Sequence, residues 1–177
     1  DKGADGLVAV AAGAGGHAGT LSPFALIQEI REWFDGTLLL SGSIANGGAV
    51  LAAQAMGADL AYIGSAFIAT NEANADQRYK EMITNSSAGD IIYTNLFTGV
   101  HGNYLKGSIE AQGLDPHNLE ISDNSKMNFS SGASKPKSWK EIWGSGQGIS
   151  AVKSILPAKD LVKRIKNEYQ DAKNKLL

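Results

Sequence analysis

The chain has 177 residues, enough for one ordinary domain with a real core or for part of a larger one. Its 16 Lys and Arg against 18 Asp and Glu leave a net charge of −2, so no global field favours nucleic acid or an anionic membrane. Cysteine is absent, which excludes disulfides, thiolate chemistry and thiolate metal sites, and no apolar run approaches the roughly 18 residues of a membrane span or forms a signal peptide. The expectation is a soluble cytoplasmic protein with small-molecule partners.

The first five residues, Asp1-Lys2-Gly3-Ala4-Asp5, read as the tail of a helix and a turn, and the same passage returns at Met56-Gly57-Ala58-Asp59. The chain therefore opens partway through a repeat. Leu7 to Ala12 is the first strand candidate, and it gives way to Ala14-Gly15-Gly16-His17-Ala18-Gly19. Ser22 as N-cap and Pro23 at the first helical position open a helix carrying Phe24, Ile27, Ile30 and Phe34, which Asp35-Gly36 ends. Thr37 to Ser41 is the second strand, and Asn46 caps a helix with Val50, Leu51 and Met56 that Gly57 closes. Leu60 to Gly64 is the third strand, followed by a helix from about Ala75 to Ser86 with Tyr79, Met82 and Ile83 on one face.

All three strands are short and continuously apolar, the pattern of a parallel sheet buried on both faces. Strand–helix alternation means successive βα units, but three parallel strands cannot close a barrel. The fold expected is α/β, the C-terminal part of a (β/α)8 barrel that needs an N-terminal barrel segment. Asp90 to Thr94 is a further short strand. Residues 1–94 are thus assigned to the last βα units of a barrel and 95–157 to an irregular segment lying as a lid over the site. Residues 158–177 are assigned to a C-terminal amphipathic helix packing on the barrel through Leu161, Val162, Ile165 and Tyr169.

Chemistry collects where each strand gives way to its helix: Gly15-Gly16-His17, Ser41-Gly42-Ser43 and Gly64-Ser65. In parallel α/β folds ligands bind at the carboxyl ends of strands, and loops after the last two strands of a βα barrel hold phosphate. Glycine and serine offer backbone N–H and hydroxyl donors, and the helix N-terminus at Asn46-Gly47-Gly48 adds a positive dipole end. His17 is the side chain there able to move a proton near neutral pH. His101 and His117 read as solvated loop residues, and Trp33, Trp139 and Trp143 as core or loop anchors. No spacing of His, Asp or Glu suggests a metal, and no nucleophile elbow or P-loop is present.

These exits, in this order, resemble the nitronate monooxygenase family, formerly called 2-nitropropane dioxygenases. The resemblance rests on Ala14-Gly15-Gly16-His17-Ala18-Gly19, Leu40-Ser41-Gly42-Ser43-Ile44-Ala45 and the run from Met56 to Thr70. It is strong to about residue 83 and looser through Asn95-Leu96-Phe97-Thr98-Gly99 and Trp143-Gly144-Ser145-Gly146-Gln147-Gly148. The resemblance implies an FMN-dependent βα barrel whose sixth to eighth strands are the three found here. His17 matches the family's catalytic histidine, Gly15 and Gly16 the backbone beside the flavin, Gly42 and Ser43 the phosphate loop, and Ile63, Gly64 and Ser65 the rest of the phosphate cradle. It further implies oxidation of alkyl nitronates by O2 to a carbonyl compound and nitrite, with His17 as base or as hydrogen-bond partner of the nitro group. A homodimer is compatible with it. Two positions depart from the pattern: Gly13 stands where an acid often precedes Ala14, and Ser43 replaces a second glycine. An FMN-dependent enoyl-(acyl carrier protein) reductase shares the Gly-Gly-His exit, and a non-catalytic flavin- or phosphate-binding module is the third reading.

Overall fold

A computed structural model describes residues 3–120 and 140–177. Strands β1 (Gly6–Val10), β3 (Thr37–Ser41) and β4 (Leu60–Tyr62) form one parallel sheet in the order β1-β3-β4, with Val8 opposite Leu39 and Leu40 opposite Ala61. Helices α1 (Pro23–Arg31) and α2 (Gly47–Ala55) make the connections. Both start where side-chain caps occur: the Ser22 hydroxyl accepts from Ala25 N–H, and Asn46 Oδ1 from Ala49 N–H. The α1 helix stops at Arg31, short of Phe34, because Arg31 turns back to donate to the Phe34, Gly36 and Gly57 carbonyls.

Burial follows the two-residue strand period on one face only. Ala9, Leu38 and Leu40 point beneath the helices and bury with Ile27 of α1 and Ala53 of α2. On the opposite face Val8, Val10, Leu60 and Tyr62 are 41–56% exposed. Of the two faces expected to be buried, the elements described here bury one. The helices described here cover one side, and the other is the side that faces the interior in a closed barrel. Behind the sheet, at the end away from the strand exits, the Asp59 carboxylate accepts from Leu38 N–H and from Arg31, which holds its pKa below the usual carboxylate value. That gives the Gly57-Ala58-Asp59 turn its role: it joins β3 to β4 at their starts.

After the third strand the chain makes one short turn of helix, α3 (Ser65–Ile68), before α4 (Gln77–Asn85), which Asp76 caps. The segment 95–157 is not an irregular lid throughout. β5 (Ile91–Thr94) and β6 (Gly102–Leu105) pair as an antiparallel hairpin, and β6 also pairs with the two-residue strand β2 (Gly16–His17). Helix α5 (Lys106–Glu110) follows, and a 3-10 turn spans Gln147–Ala151. All four residues of β6 are buried, with Asn103 donating from Nδ2 to the Ala14 carbonyl. A strand whose buried set includes glycine and asparagine shows no apolar alternation, which is why the sequence hides it. The part of the expected lid at 121–139, with Trp139, lies outside the described residues, as do Asp1 and Lys2. Trp33 is 70% exposed and anchors no core, whereas Trp143 is buried and stacks on Tyr79 at 5.0 Å.

Helix α6 (Ala158–Leu176) does more than pack. Its Glu168 carboxylate accepts from Gly47 N–H at the start of α2, and Arg164 donates to the Ala45 and Ala151 carbonyls. Gly47 is the contact point. A Cβ there would lie 2.0 Å from Tyr169 N and 2.2 Å from the Ile165 carbonyl oxygen, both backbone atoms that cannot swing away. Gly47→Ala is expected to cost about 3 kcal/mol or more by forcing α2 off α6, read as a lower denaturation midpoint. Gly48→Ala, one residue on, meets nothing closer than 3.5 Å and is expected to be neutral or slightly stabilising. Equal effects at the two positions would refute this account of the α2–α6 contact. No helix among the described residues is long and apolar enough to cross a membrane.

Candidate active site

The exit of β1 is held by backbone before any side chain acts. Gly13 takes φ +81°, and its carbonyl accepts from both Ser43 N–H at 3.3 Å and Gln147 N–H at 2.9 Å. One peptide group thus ties the first exit, the second exit and the segment 144–149 together. Glycine is required at 13 on two counts, the left-handed backbone and the Ser43 hydroxyl 2.1 Å from where a Cβ would sit. Ser43 itself adopts φ +56°, the left-handed region in which glycine would be unstrained. Positions 13 and 43 are therefore one physical unit: the serine side chain at 43 fills space that a side chain at 13 would claim.

The three exits converge on a single cavity of about 400 Å³. Gly15, Gly16, His17, Gly42, Ser43, Gly64 and Ser65 all line it. Ile63 does not: its partly buried side chain packs against the core cluster that contains Ala66 and Ile149, while its neighbours Tyr62 and Gly64 face the cavity. The α2 N-terminus does not serve the cavity either, because Glu168 and the Asn46 cap occupy its first amides. Ser65 is set up as a donor. Its Oγ accepts from Gly146 N–H at 2.9 Å, so the hydroxyl proton is directed elsewhere. None of the described lining residues is Lys, Arg, Asp or Glu, so an anion there is met by backbone N–H and hydroxyl groups.

Residues that the strand exits did not announce complete the wall. Gly144, Gly146, Gly148 and Ile149 come from the far end of the supposed lid, and Tyr79 from α4. Burial pushes the Tyr79 phenol up to about 12, so it stays protonated and donates to the Gly144 carbonyl. The sequence held a partial signal for this, the Trp143-Gly144-Ser145-Gly146-Gln147-Gly148 run, but nothing local in it specifies contact with Gly13. His17 is exposed at the cavity wall, with Nε2 2.9 Å from Thr98 Oγ1. His101 and His117 are exposed loop residues, and His101 stacks on Tyr93 at 5.0 Å.

Parallel βα units with a glycine- and serine-lined cavity at the strand ends, and a histidine on its wall, define part of a barrel with its cavity where ligands of such folds bind. Comparison with known proteins makes this specific. Residues 1–168 match the nitronate monooxygenase family model, and the chain belongs to that family. It is 28% identical to the nitronate monooxygenase of Paraburkholderia phytofirmans over 96% of this chain and 50% of that protein. It is 25% identical to a probable nitronate monooxygenase of Staphylococcus haemolyticus over 82% of this chain and 45% of the other. The chain spans about half the length of the curated relatives it matches. Among solved structures it superposes on FabK from Thermotoga maritima with a TM-score of 0.74 at 23% identity, over 98% of this chain and 57% of that one. Nitroalkane oxidase from Streptomyces ansochromogenes gives 0.73 at 24%, over 99% and 54%. These two likenesses establish the barrel fold.

FMN is the cofactor of that family, and the cavity has room and neutral donors of the kind a phosphate end needs. A Cβ on Gly64 would meet no atom within 4 Å, so the space in front of this residue is open and belongs to the cavity. Ser65 and Ser43, from two exits, line the same cavity. The donor set is neutral and directional, as suits a phosphate monoester bound without lysine.

Proposed function

We infer that the complete protein is an FMN-dependent enzyme that oxidises alkyl nitronates with dioxygen to a carbonyl compound and nitrite. The observation that carries this reading is the convergence of Gly15-Gly16-His17, Gly42-Ser43 and Gly64-Ser65 on one cavity, within a chain of the nitronate monooxygenase family. The overall change balances when two nitronate anions and one O2 give two carbonyls and two nitrite ions: each C–N bond breaks, and each carbon gains one oxygen. FMN, when bound, supplies the electron transfer between nitronate and oxygen.

The residues of this chain hold and orient. Ser43, Gly64 and Ser65 form the phosphate end, and Gly15 and Gly16 run beside the flavin. His17 stands at the reacting end, where it binds the nitro oxygens and, for a neutral nitroalkane, takes the proton from the α-carbon. Ile63 enters only through its backbone, since its side chain packs against the core. In a closed barrel the exposed face of Val8, Val10, Leu60 and Tyr62 would be turned to the interior. A cytoplasmic setting fits a cysteine-free chain.

The test uses the complete FMN-loaded protein and two assays side by side. Nitrite release from propionate 3-nitronate in air, with no NADH oxidation in the presence of an enoyl thioester, is the expected pair of results. The opposite pair would replace this reading by enoyl reduction. Bound flavin with neither activity would leave a flavin-binding module.

A further inference from the structure

The connection between β5 and β6 places a hydroxyl against the imidazole of His17. Thr98 Oγ1 lies 2.9 Å from His17 Nε2 and 3.0 Å from the Val100 carbonyl oxygen, and Val100 N–H reaches the same Oγ1 at 3.3 Å. A threonine hydroxyl has one proton. A carbonyl oxygen can only accept, so the contact with Val100 is a hydrogen bond only when the hydroxyl proton goes there. The contact with the ring is then a hydrogen bond only when Nε2 carries a hydrogen and donates it. The reverse arrangement, with the hydroxyl donating to His17, would leave two acceptor oxygens 3.0 Å apart with no proton between them.

We propose that Thr98 is a positioning residue for His17, holding the neutral imidazole as the Nε2–H tautomer and making Nδ1 the nitrogen that gains and loses the proton. The importance of that proton rests on the acid–base reading of His17 given above; the tautomer itself does not. The same hairpin also fixes the backbone. His17 pairs with Gly102 of β6, the His101 carbonyl accepts from Ala18 N–H at 3.2 Å, and the Tyr93 hydroxyl donates to the Ala18 carbonyl at 2.9 Å. Hairpin β5–β6 therefore grips the histidine on both sides and sets its ring from the loop between its strands. In metal and triad sites a histidine oriented through its second nitrogen behaves in the same way.

The experiment is ring 15N NMR of histidine in the full chain, without FMN, at alkaline pH where imidazole is neutral. The signals of His17 are assigned by their loss in His17→Asn. The parent chain is expected to show Nε2 as the protonated nitrogen and Nδ1 as the unprotonated one. Thr98→Val removes the hydroxyl at nearly constant shape and is expected to move both signals toward the averaged values of a free histidine; Thr98→Ser should restore them. Thr98→Ala carries the same expectation if the valine variant does not fold. In the complete FMN-loaded protein, Thr98→Val should lower kcat about fivefold with KM little changed, the loss of one orienting hydrogen bond.

A His17 protonated at Nδ1 in the parent, or spectra unchanged by Thr98→Val, would overturn the proposal, as would lost tautomer control with kcat intact in a protein whose turnover is lost in His17→Ala. If His17→Ala instead turns over like the parent, the acid–base reading fails, and the NMR result still decides the role of Thr98.

Discussion

Replacing His17 by Ala in the complete, FMN-loaded protein is expected to lower turnover of nitronates by a factor of about 10² to 10⁴, the usual contribution of a positioned acid–base group. Flavin should stay bound, because the cradle proposed above is Gly42, Ser43, Gly64 and Ser65, and no part of it hangs on the imidazole. Stability should change little. His17 is exposed, and its strand is held by backbone pairing with Gly102 and by the flanking bonds of Ala18, which an alanine retains. Turnover that survived with flavin still bound would remove the catalytic assignment.

His17→Asn divides the two roles open to the ring. Asparagine can donate a hydrogen bond to a nitro oxygen but cannot accept a proton from carbon. A nitronate has already lost that proton, whereas a neutral nitroalkane has not. The variant is therefore expected to keep more of its rate on nitronates than on the parent nitroalkanes. Equal losses on both would assign His17 to binding alone.

The difference between the legible and the hidden parts of this site follows the range of the interactions involved. Strand Thr37–Ser41, the caps Ser22 and Asn46, and helix Ala158–Leu176 are specified by residues within a few positions of each other, and the structure has them at the expected places. The three exits were legible for the same reason, since each is a local change from apolar strand to glycine and serine.

The other half of the wall was not. Gly146 and Gly148 reach the cavity because Gln147 N–H bonds Gly13, and Tyr79 because its hydroxyl donates to the Gly144 carbonyl. These are contacts across more than sixty residues, and no periodicity encodes them. Lys80 is a parallel case in the fold. A lysine in α4 reads as solvated, yet it is buried because its Nζ finds the Thr70 carbonyl at 2.7 Å. Likewise the Gly47-Gly48 pair read as a helix start open to an anion. A glutamate from the last helix, 121 positions away, closes it instead.

Gly64→Val is expected to weaken FMN binding by ten- to a hundredfold, seen as loss of the yellow absorbance of the purified complete protein, while the fold stays intact. The asymmetry comes from the backbone. Gly64 sits at φ −111°, outside the left-handed region that demands glycine, and a Cβ there meets no protein atom within 4 Å. Gly42 and Gly13 offer no such clean test, because both take positive φ and their Cβ positions lie within 3.0 Å of other protein atoms. A substitution at either would unsettle the loop and the ligand together. At position 64 the branched side chain has only the cavity to enter, where it takes the place of a phosphate oxygen and its charge-assisted bonds. Losing one or two such bonds, at about 1.5–3 kcal/mol each, corresponds to at least that tenfold change. Undiminished flavin in a folded Gly64→Val protein would move the phosphate away from the third strand exit. It would also remove the link between Gly64 and His17 on which the functional reading depends.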